Sequence, residues 1–216
     1  MTDLILFDLD GTLTDSALGI TTCVQHALTR MGYPTYPREQ LFCFVGPPLV
    51  DMFQEFAGMS LEDSKKAVAL YRARYKDIGI FENEVYPGIP EVLQYLKDHG
   101  KILGVASSKP EVFVERILDR FDLAQYFTYV TGSEMSGKRV NKPEVLKVAL
   151  ARAGYADRKD ACILVGDRKY DIEGAHEVGL RCVGVSYGYG GREEMEAYGA
   201  DLICDTVEDL KCLVKV

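Results

Sequence analysis

Two aspartates, Asp8 and Asp10, stand one residue apart at the end of the apolar run LILF (4–7), in the stretch LILFDLDGTLTDS. Carboxylates held this close repel one another, so the pair calls for a cation or a chemical task. Asp167 and Asp171 fall in GDRKYD (166–171), directly after a second apolar run, CILVG (162–166). Ser107 and Ser108 follow ILGVA (102–106), and Lys142 begins a helix-like segment ahead of CILVG. Carboxylates, a hydroxyl and one lysine brought to a common place suit Mg²⁺, which prefers carboxylates, water and substrate phosphate. The lysine is a point charge suited to a phosphoryl group. A serine hydroxyl with nearby backbone N–H groups can add hydrogen bonds to phosphoryl oxygens. A carboxylate can itself attack phosphorus and become an aspartyl-phosphate.

Each piece alone has a plainer reading. Asp and Gly are ordinary turn residues, so DLDGT could be a capped turn. Ser107 after an apolar run could be a helix N-cap, and GDRKYD (166–171) could be a strand end and N-cap. Lys142 on a first helical turn could simply be solvated, although the positive end of the helix dipole disfavours it there. What favours chemistry is the joint pattern, in which these pieces fall at the ends of successive strand-like runs.

The elements that must position them follow from hydrophobic patterning. Short continuous apolar runs recur at 4–7, 102–106, 129–132, 162–166, 182–185 and 202–204, bounded by Gly, Ser or Asp. Runs of this kind fit strands of a parallel sheet covered on both faces. Helical segments alternate with them at 89–100, 110–121, 142–154 and 170–180; two stop at a glycine, Gly100 and Gly154, and Pro110 and Pro143 sit at helix starts. The alternation predicts an α/β domain with a doubly wound, mainly parallel, Rossmann-like sheet. In such a sheet the strand ends share one edge, and ligands bind there. Residues 16–82 break the alternation and read as helices over 16–31, 37–43, 48–57 and 60–78, punctuated by Gly32, Pro34 and Pro37 and by Gly46, Pro47 and Pro48. We therefore expect an inserted, all-helical cap over 16–82 and a core built from 1–15 and 83–216, with YPGIP (86–90) as the hinge.

Composition narrows the field. The chain has 216 residues, 47% of them hydrophobic, and a net charge of −8. With a mean hydropathy near zero, it is long enough to bury a sizeable core and too apolar for disorder. The acidic balance argues against a nucleic-acid polymer as partner, which would need a basic stripe. The six cysteines, 23, 43, 162, 182, 204 and 212, form no CxxC pair. They read as core thiols of a reducing compartment rather than disulfides or zinc ligands. The N-terminus has no basic region of a signal peptide, and no apolar run reaches a membrane span, so a cytoplasmic protein is expected. Oligomeric state is not legible.

DLDGTLTDS (8–16), VASSK (105–109), Lys142 and GDRKYD (166–171) resemble the four motifs of the haloacid dehalogenase-like phosphatase superfamily. The resemblance covers the whole chain, and a cap after the first motif is similar to the subgroup of phosphoglycolate phosphatases, β-phosphoglucomutases and 5′-nucleotidase-like enzymes. It implies Asp8 as nucleophile and Asp10 as the acid that protonates the leaving oxygen and then activates water. It implies Mg²⁺ held by Asp8, Asp167 and the backbone carbonyl of Asp10. Ser107, with Ser108 beside it, and Lys142 would bind the transferring phosphoryl group, and Asp171 would orient Lys142 or a water. Because dehalogenases of the superfamily lack the second aspartate, Asp10 favours a phosphomonoester as the small-molecule substrate.

In relatives a loop like Gly46-Pro47-Pro48 lies over the active site, whereas Arg72 and Arg74 read as a solvated cap face. Phosphoglycolate phosphatases usually carry a small hydroxyl residue after GD, and here Arg168 and Lys169 follow. That departure, with VGPPL and YGYG (187–190), leans towards nucleoside 5′-monophosphates. Phosphoglycolate phosphatase is the alternative, then a mutase. A receiver-like signalling domain shares the aspartate, hydroxyl and lysine, but it is about half this length and has no inserted cap. A non-catalytic binding protein is disfavoured because no motif residue is missing.

Overall fold

The six apolar runs form one sheet in which every strand pair is parallel. The computed structural model describes residues 2–216. Its sheet strands are β1 (Leu4–Phe7), β4 (Ile102–Pro110), β5 (Tyr129–Ser133), β6 (Cys162–Gly166), β7 (Arg181–Val185) and β8 (Leu202–Cys204), in the order β5-β4-β1-β6-β7-β8. Strands β2 (Thr14–Asp15) and β3 (Glu84–Val85) form a separate two-stranded sheet. Among the strands of the large sheet alone, the order is the 3-2-1-4-5-6 of a doubly wound fold. The order reverses between β1 and β6, so Asp8 and Asp167, the residues next after these strands, flank the switch point where such sheets bind ligands.

The helices between the strands are α4 (Ile89–Asp98), α5 (Glu111–Arg120), α6 (Lys142–Ala153), α7 (Lys169–Glu177) and α8 (Gly191–Ala197). Strand β1 is buried along its whole length. Leu4 and Leu6 join Val145, Leu146 and Ile172 of α6 and α7 in one core cluster, and that packing fixes the register of the sheet beneath the site. Strand β4 runs to Pro110, four residues beyond its apolar part, with an irregular register against β5 between Ala106 and Pro110. Ser107 is therefore a strand residue, and the N-cap position of α5 is Pro110.

The chain divides into two compact units, residues up to Thr14 with Val85–Val216, and Asp15–Glu84. The smaller unit carries α1 (Ala17–Arg30), α2 (Leu49–Ala57) and α3 (Leu61–Tyr75), with 3-10 turns at Arg38–Phe44 and Gly79–Phe81. The segment expected as a helix over 37–43 is one of these 3-10 turns. Its inward residues, Leu41 and Phe44, are three apart, the period of that tighter helix. Ser60 caps α3 by accepting a hydrogen bond from the Asp63 N–H at 3.1 Å. The Phe44 and Phe53 rings pack at 5.0 Å, and Arg74 makes a two-pronged pair with Glu82 at 2.7 and 2.9 Å. Arg74 is thus not the solvated residue expected; it ties α3 to the segment leaving this unit.

All six cysteines are free. Cys23, Cys162, Cys182 and Cys204 are buried, as core thiols should be, but Cys43 is half-buried and Cys212 exposed. Leu210 and Leu213 take the inward positions of the last 3-10 turn, which turns Cys212 outward. Among the described residues, no helix is long and apolar enough to cross a membrane.

Candidate active site

The turn after β1 sets the geometry. Asp8 continues the strand, its N–H donating to the Val165 carbonyl at 2.9 Å. Gly11 then takes φ +84°, and a Cβ there would lie 2.1 Å from Asp167 Oδ2, so glycine alone fits. Asp8, Asp10, Asp167 and Asp171 are each buried, as are Ser107 and Lys142. The carboxylates, hydroxyl and lysine singled out in the sequence therefore each lie in a dry environment, where unbalanced charge is costly.

Lys142 is the hub. Its Nζ donates to Asp8 Oδ1 at 2.7 Å and to the Ala106 carbonyl at 2.9 Å, and pairs with Asp171 Oδ1 at 2.8 Å. Burial works against its charge, but the Asp171 and Asp8 carboxylates win and hold its pKa above the ordinary lysine range. Asn141, accepting from the Glu144 N–H at 3.0 Å, caps α6 and presents Lys142 on the first turn. Asp171 does both of the jobs its position allowed. One oxygen accepts from the Arg168 N–H at 3.1 Å, closing the start of α7, while the other faces Lys142.

Asp8, Asp167 and Asp171 each offer one oxygen, and these three atoms lie within 4.8 Å of one another. Burial, opposed by Lys142 and reinforced by Asp171, pushes Asp8 up to about 6. Burial, with Asp171 and Asp8 adding to it, pushes Asp167 well above the usual carboxylate range. One lysine does not balance three buried carboxylates. A hard divalent cation would reverse both shifts, so the donor set fits Mg²⁺.

Asp10 stands apart from this trio. Its Oδ2 lies 2.6 Å from Lys109 Nζ, while its Oδ1 is buried with no hydrogen-bond partner among the described residues. Ser107 Oγ accepts from the Lys109 N–H at 3.3 Å. Ser108 is half-buried on the same strand end. Gly46, Pro47 and Pro48 form the turn into α2 of the smaller unit, with Gly46 at φ +105° and Pro48 at the N-cap position.

Sequence reasoning missed a strap over Asp167. Tyr187 Oη donates to the Thr12 carbonyl at 2.9 Å, and the Tyr189 N–H donates to Asp167 Oδ2 at 2.8 Å. A Cβ on Gly188 would lie 2.3 Å from Asp167 Cβ and 2.4 Å from the Gly11 carbonyl oxygen. The available signal was YGYG itself, alternating glycines directly after a strand at the ligand-binding edge. Gly188→Ala is expected to lower stability by about 1–3 kcal/mol through overpacking. Tyr187→Phe, losing one hydrogen bond, should cost about 1 kcal/mol. Chemical denaturation of the two variants checks this, and an unchanged Gly188→Ala would mean the strap moves aside freely. Arg168 and Lys169 turn away to α8, where Arg168 Nε and the Lys169 N–H both donate to Glu194 Oε1, at 2.9 and 2.8 Å.

The chain is similar to known proteins over nearly its whole length. Residues 5–185 match the family model described as haloacid dehalogenase-like hydrolase. The chain is 40% identical to a 5′-nucleotidase of Pseudomonas aeruginosa, over 96% of this chain and 93% of that protein. It is 36% identical to tyrosine-protein kinase PtkA of Mycobacterium tuberculosis, over 96% of this chain and 71% of that one. Phosphoglycolate phosphatase 1 of P. aeruginosa is 31% identical over 96% of this chain and 78% of its own length. Among solved structures, a predicted phosphatase from Clostridium acetobutylicum superposes with a TM-score of 0.96 at 41% identity, covering 100% of this chain and 99% of that one.

Proposed function

The chain belongs to the haloacid dehalogenase-like hydrolases and is a phosphatase, and on that footing we propose that it hydrolyses small phosphomonoesters, nucleoside 5′-monophosphates foremost, with Mg²⁺ and through a phosphoaspartate on Asp8. The observation that carries this reading is the division of labour between two neighbouring carboxylates. Asp8 is gripped by Lys142, and Asp10 keeps one buried oxygen unpartnered. In the first half-reaction an Asp8 oxygen bonds to phosphorus as the ester P–O bond breaks. The bonding pair leaves with the ester oxygen, which takes a proton from Asp10. In the second, water returns a proton to Asp10 and its oxygen bonds to phosphorus. The bond from phosphorus to Asp8 breaks, and the carboxylate is restored.

Ser107, Ser108 and Lys142 hold the phosphoryl oxygens, and Asp171 orients Lys142. Asp8, Asp167 and the Asp10 backbone carbonyl would hold Mg²⁺, which neutralises charge on the phosphoryl group when bound. Asp171, within reach of the same place, is a further candidate ligand. Gly46, Pro47 and Pro48 are our candidates for contacts to the rest of the substrate. We place the enzyme in the cytoplasm.

Identity to the 5′-nucleotidase exceeds that to the phosphoglycolate phosphatase, 40% against 31%, and supports the nucleotide reading. Phosphate release with Mg²⁺ across nucleoside 5′-monophosphates, phosphoglycolate, sugar phosphates and p-nitrophenyl phosphate tests it. A preference of about tenfold or more, about 1.4 kcal/mol, for the nucleotides is expected. The same preference for phosphoglycolate would replace the substrate while leaving the chemistry. Chelation should abolish release and added Mg²⁺ restore it; full activity of metal-free protein would remove the metal from the reading.

A further inference from the structure

Lys109 and Asp10 form a buried ion pair at 2.6 Å, with side chains only 6% and 8% exposed. Removing two charges from water costs about as much as their attraction returns, so such a pair is weak evidence for stability and invites another explanation. The chain goes to some length to make it. Strand β4 continues past its apolar residues to Pro110, its register shifts after Ala106, and the Ser107 hydroxyl takes the Lys109 N–H at 3.3 Å. Irregularities of this kind re-aim side chains next to active sites. The outcome is an asymmetric carboxylate, with Oδ2 occupied by Lys109 and Oδ1 buried and without a hydrogen-bond partner among the described residues. A buried oxygen without a partner costs stability unless something else uses it.

We propose that Lys109 is a positioning residue for Asp10, occupying Oδ2 so that Oδ1 alone exchanges a proton with the leaving oxygen and then with water. This rests on the role of Asp10 given above. The ammonium also fixes the carboxyl plane, and proton transfer needs the donor oxygen within hydrogen-bond reach of its target. Without Lys109 the carboxyl rotates between equivalent oxygens, and the proton is not held where the ester oxygen departs.

Leaving groups separate this role from a structural one. A ribose 5′-oxygen leaves as a poor alkoxide and needs the proton, whereas p-nitrophenolate leaves without one. In single-turnover experiments with Mg²⁺, Lys109→Met should slow phosphoryl transfer from a nucleoside 5′-monophosphate by about 10²–10⁴-fold at saturation, the usual worth of a general acid. The burst of p-nitrophenolate from p-nitrophenyl phosphate should fall by less than about tenfold, with half-saturation little changed for both. Lys109→Arg, which still offers an N–H to Oδ2, should recover part of the loss on the nucleotide. The ratio of the two rates in one preparation does not depend on how much of it is folded, so a destabilised variant still gives an answer. Equal losses on both substrates would overturn the proposal and make Lys109 a structural or phosphate-binding residue. A wild-type protein that forms no phosphoenzyme from either substrate would instead overturn the phosphatase mechanism, and the proposal with it.

Discussion

Asp8→Asn is expected to abolish turnover and, in metal-free protein, to leave stability equal or higher. An amide is a poor nucleophile, and losing the covalent route should cost at least about 10³-fold in turnover. The stability effect comes from the buried carboxylate. Burial, against the pull of Lys142, raises Asp8 from 3.8 to about 6 in the folded chain. Between about pH 4 and pH 6 the folded state then binds more protons than the unfolded one, so stability falls as pH rises through that window and stays lower above it. The difference is about 3 kcal/mol for this group. Asparagine carries no charge to desolvate, so part of the decline between pH 4 and 6 should flatten. Thermal unfolding against pH, without metal, reads this directly. Identical pH curves for the two proteins would refute the electrostatic account, and turnover near wild type would refute the nucleophile.

Lys142→Met should be the most damaging single change in the site. The ammonium pairs with both Asp8 and Asp171 and also satisfies the Ala106 carbonyl. Removing it leaves buried carboxylates facing one another, a loss of about 3–5 kcal/mol by analogy with broken buried pairs. If Lys142 binds the phosphoryl group as proposed, activity should fall with it. The decisive comparison is stability with and without excess Mg²⁺. If the carboxylates hold the metal, Mg²⁺ should restore more stability to Lys142→Met than it adds to the wild type. Equal gains in both would mean that lysine and metal do not serve the same carboxylates.

Much of the architecture was legible because it depends on local patterns. Continuous apolar runs ending in Asp or Ser marked the strands and their shared edge, and glycines and prolines marked helix ends. The misses are of another kind. Lys109 was passed over because its partner, Asp10, lies far away in sequence, and because SSK reads as a loop although it extends β4. The 3-10 turn at Arg38–Phe44 is hard to tell from an α-helix in seven residues. Cys212 looked like a core thiol because residue type says little about which side of a short turn faces in. The plainer readings were sometimes right as well: Asp171 caps its helix and faces Lys142 at once, so the two alternatives were never exclusive.

The contact between Gly188, Gly11 and Asp167 also bears on how such a protein can diverge. Its walls are main chain and one carboxylate, with no room for a methyl group. Change there is all or nothing, since no series of slightly larger side chains leads from one working arrangement to another. New substrate preferences must therefore arise at positions with slack, and the chemistry can stay the same while its customers change.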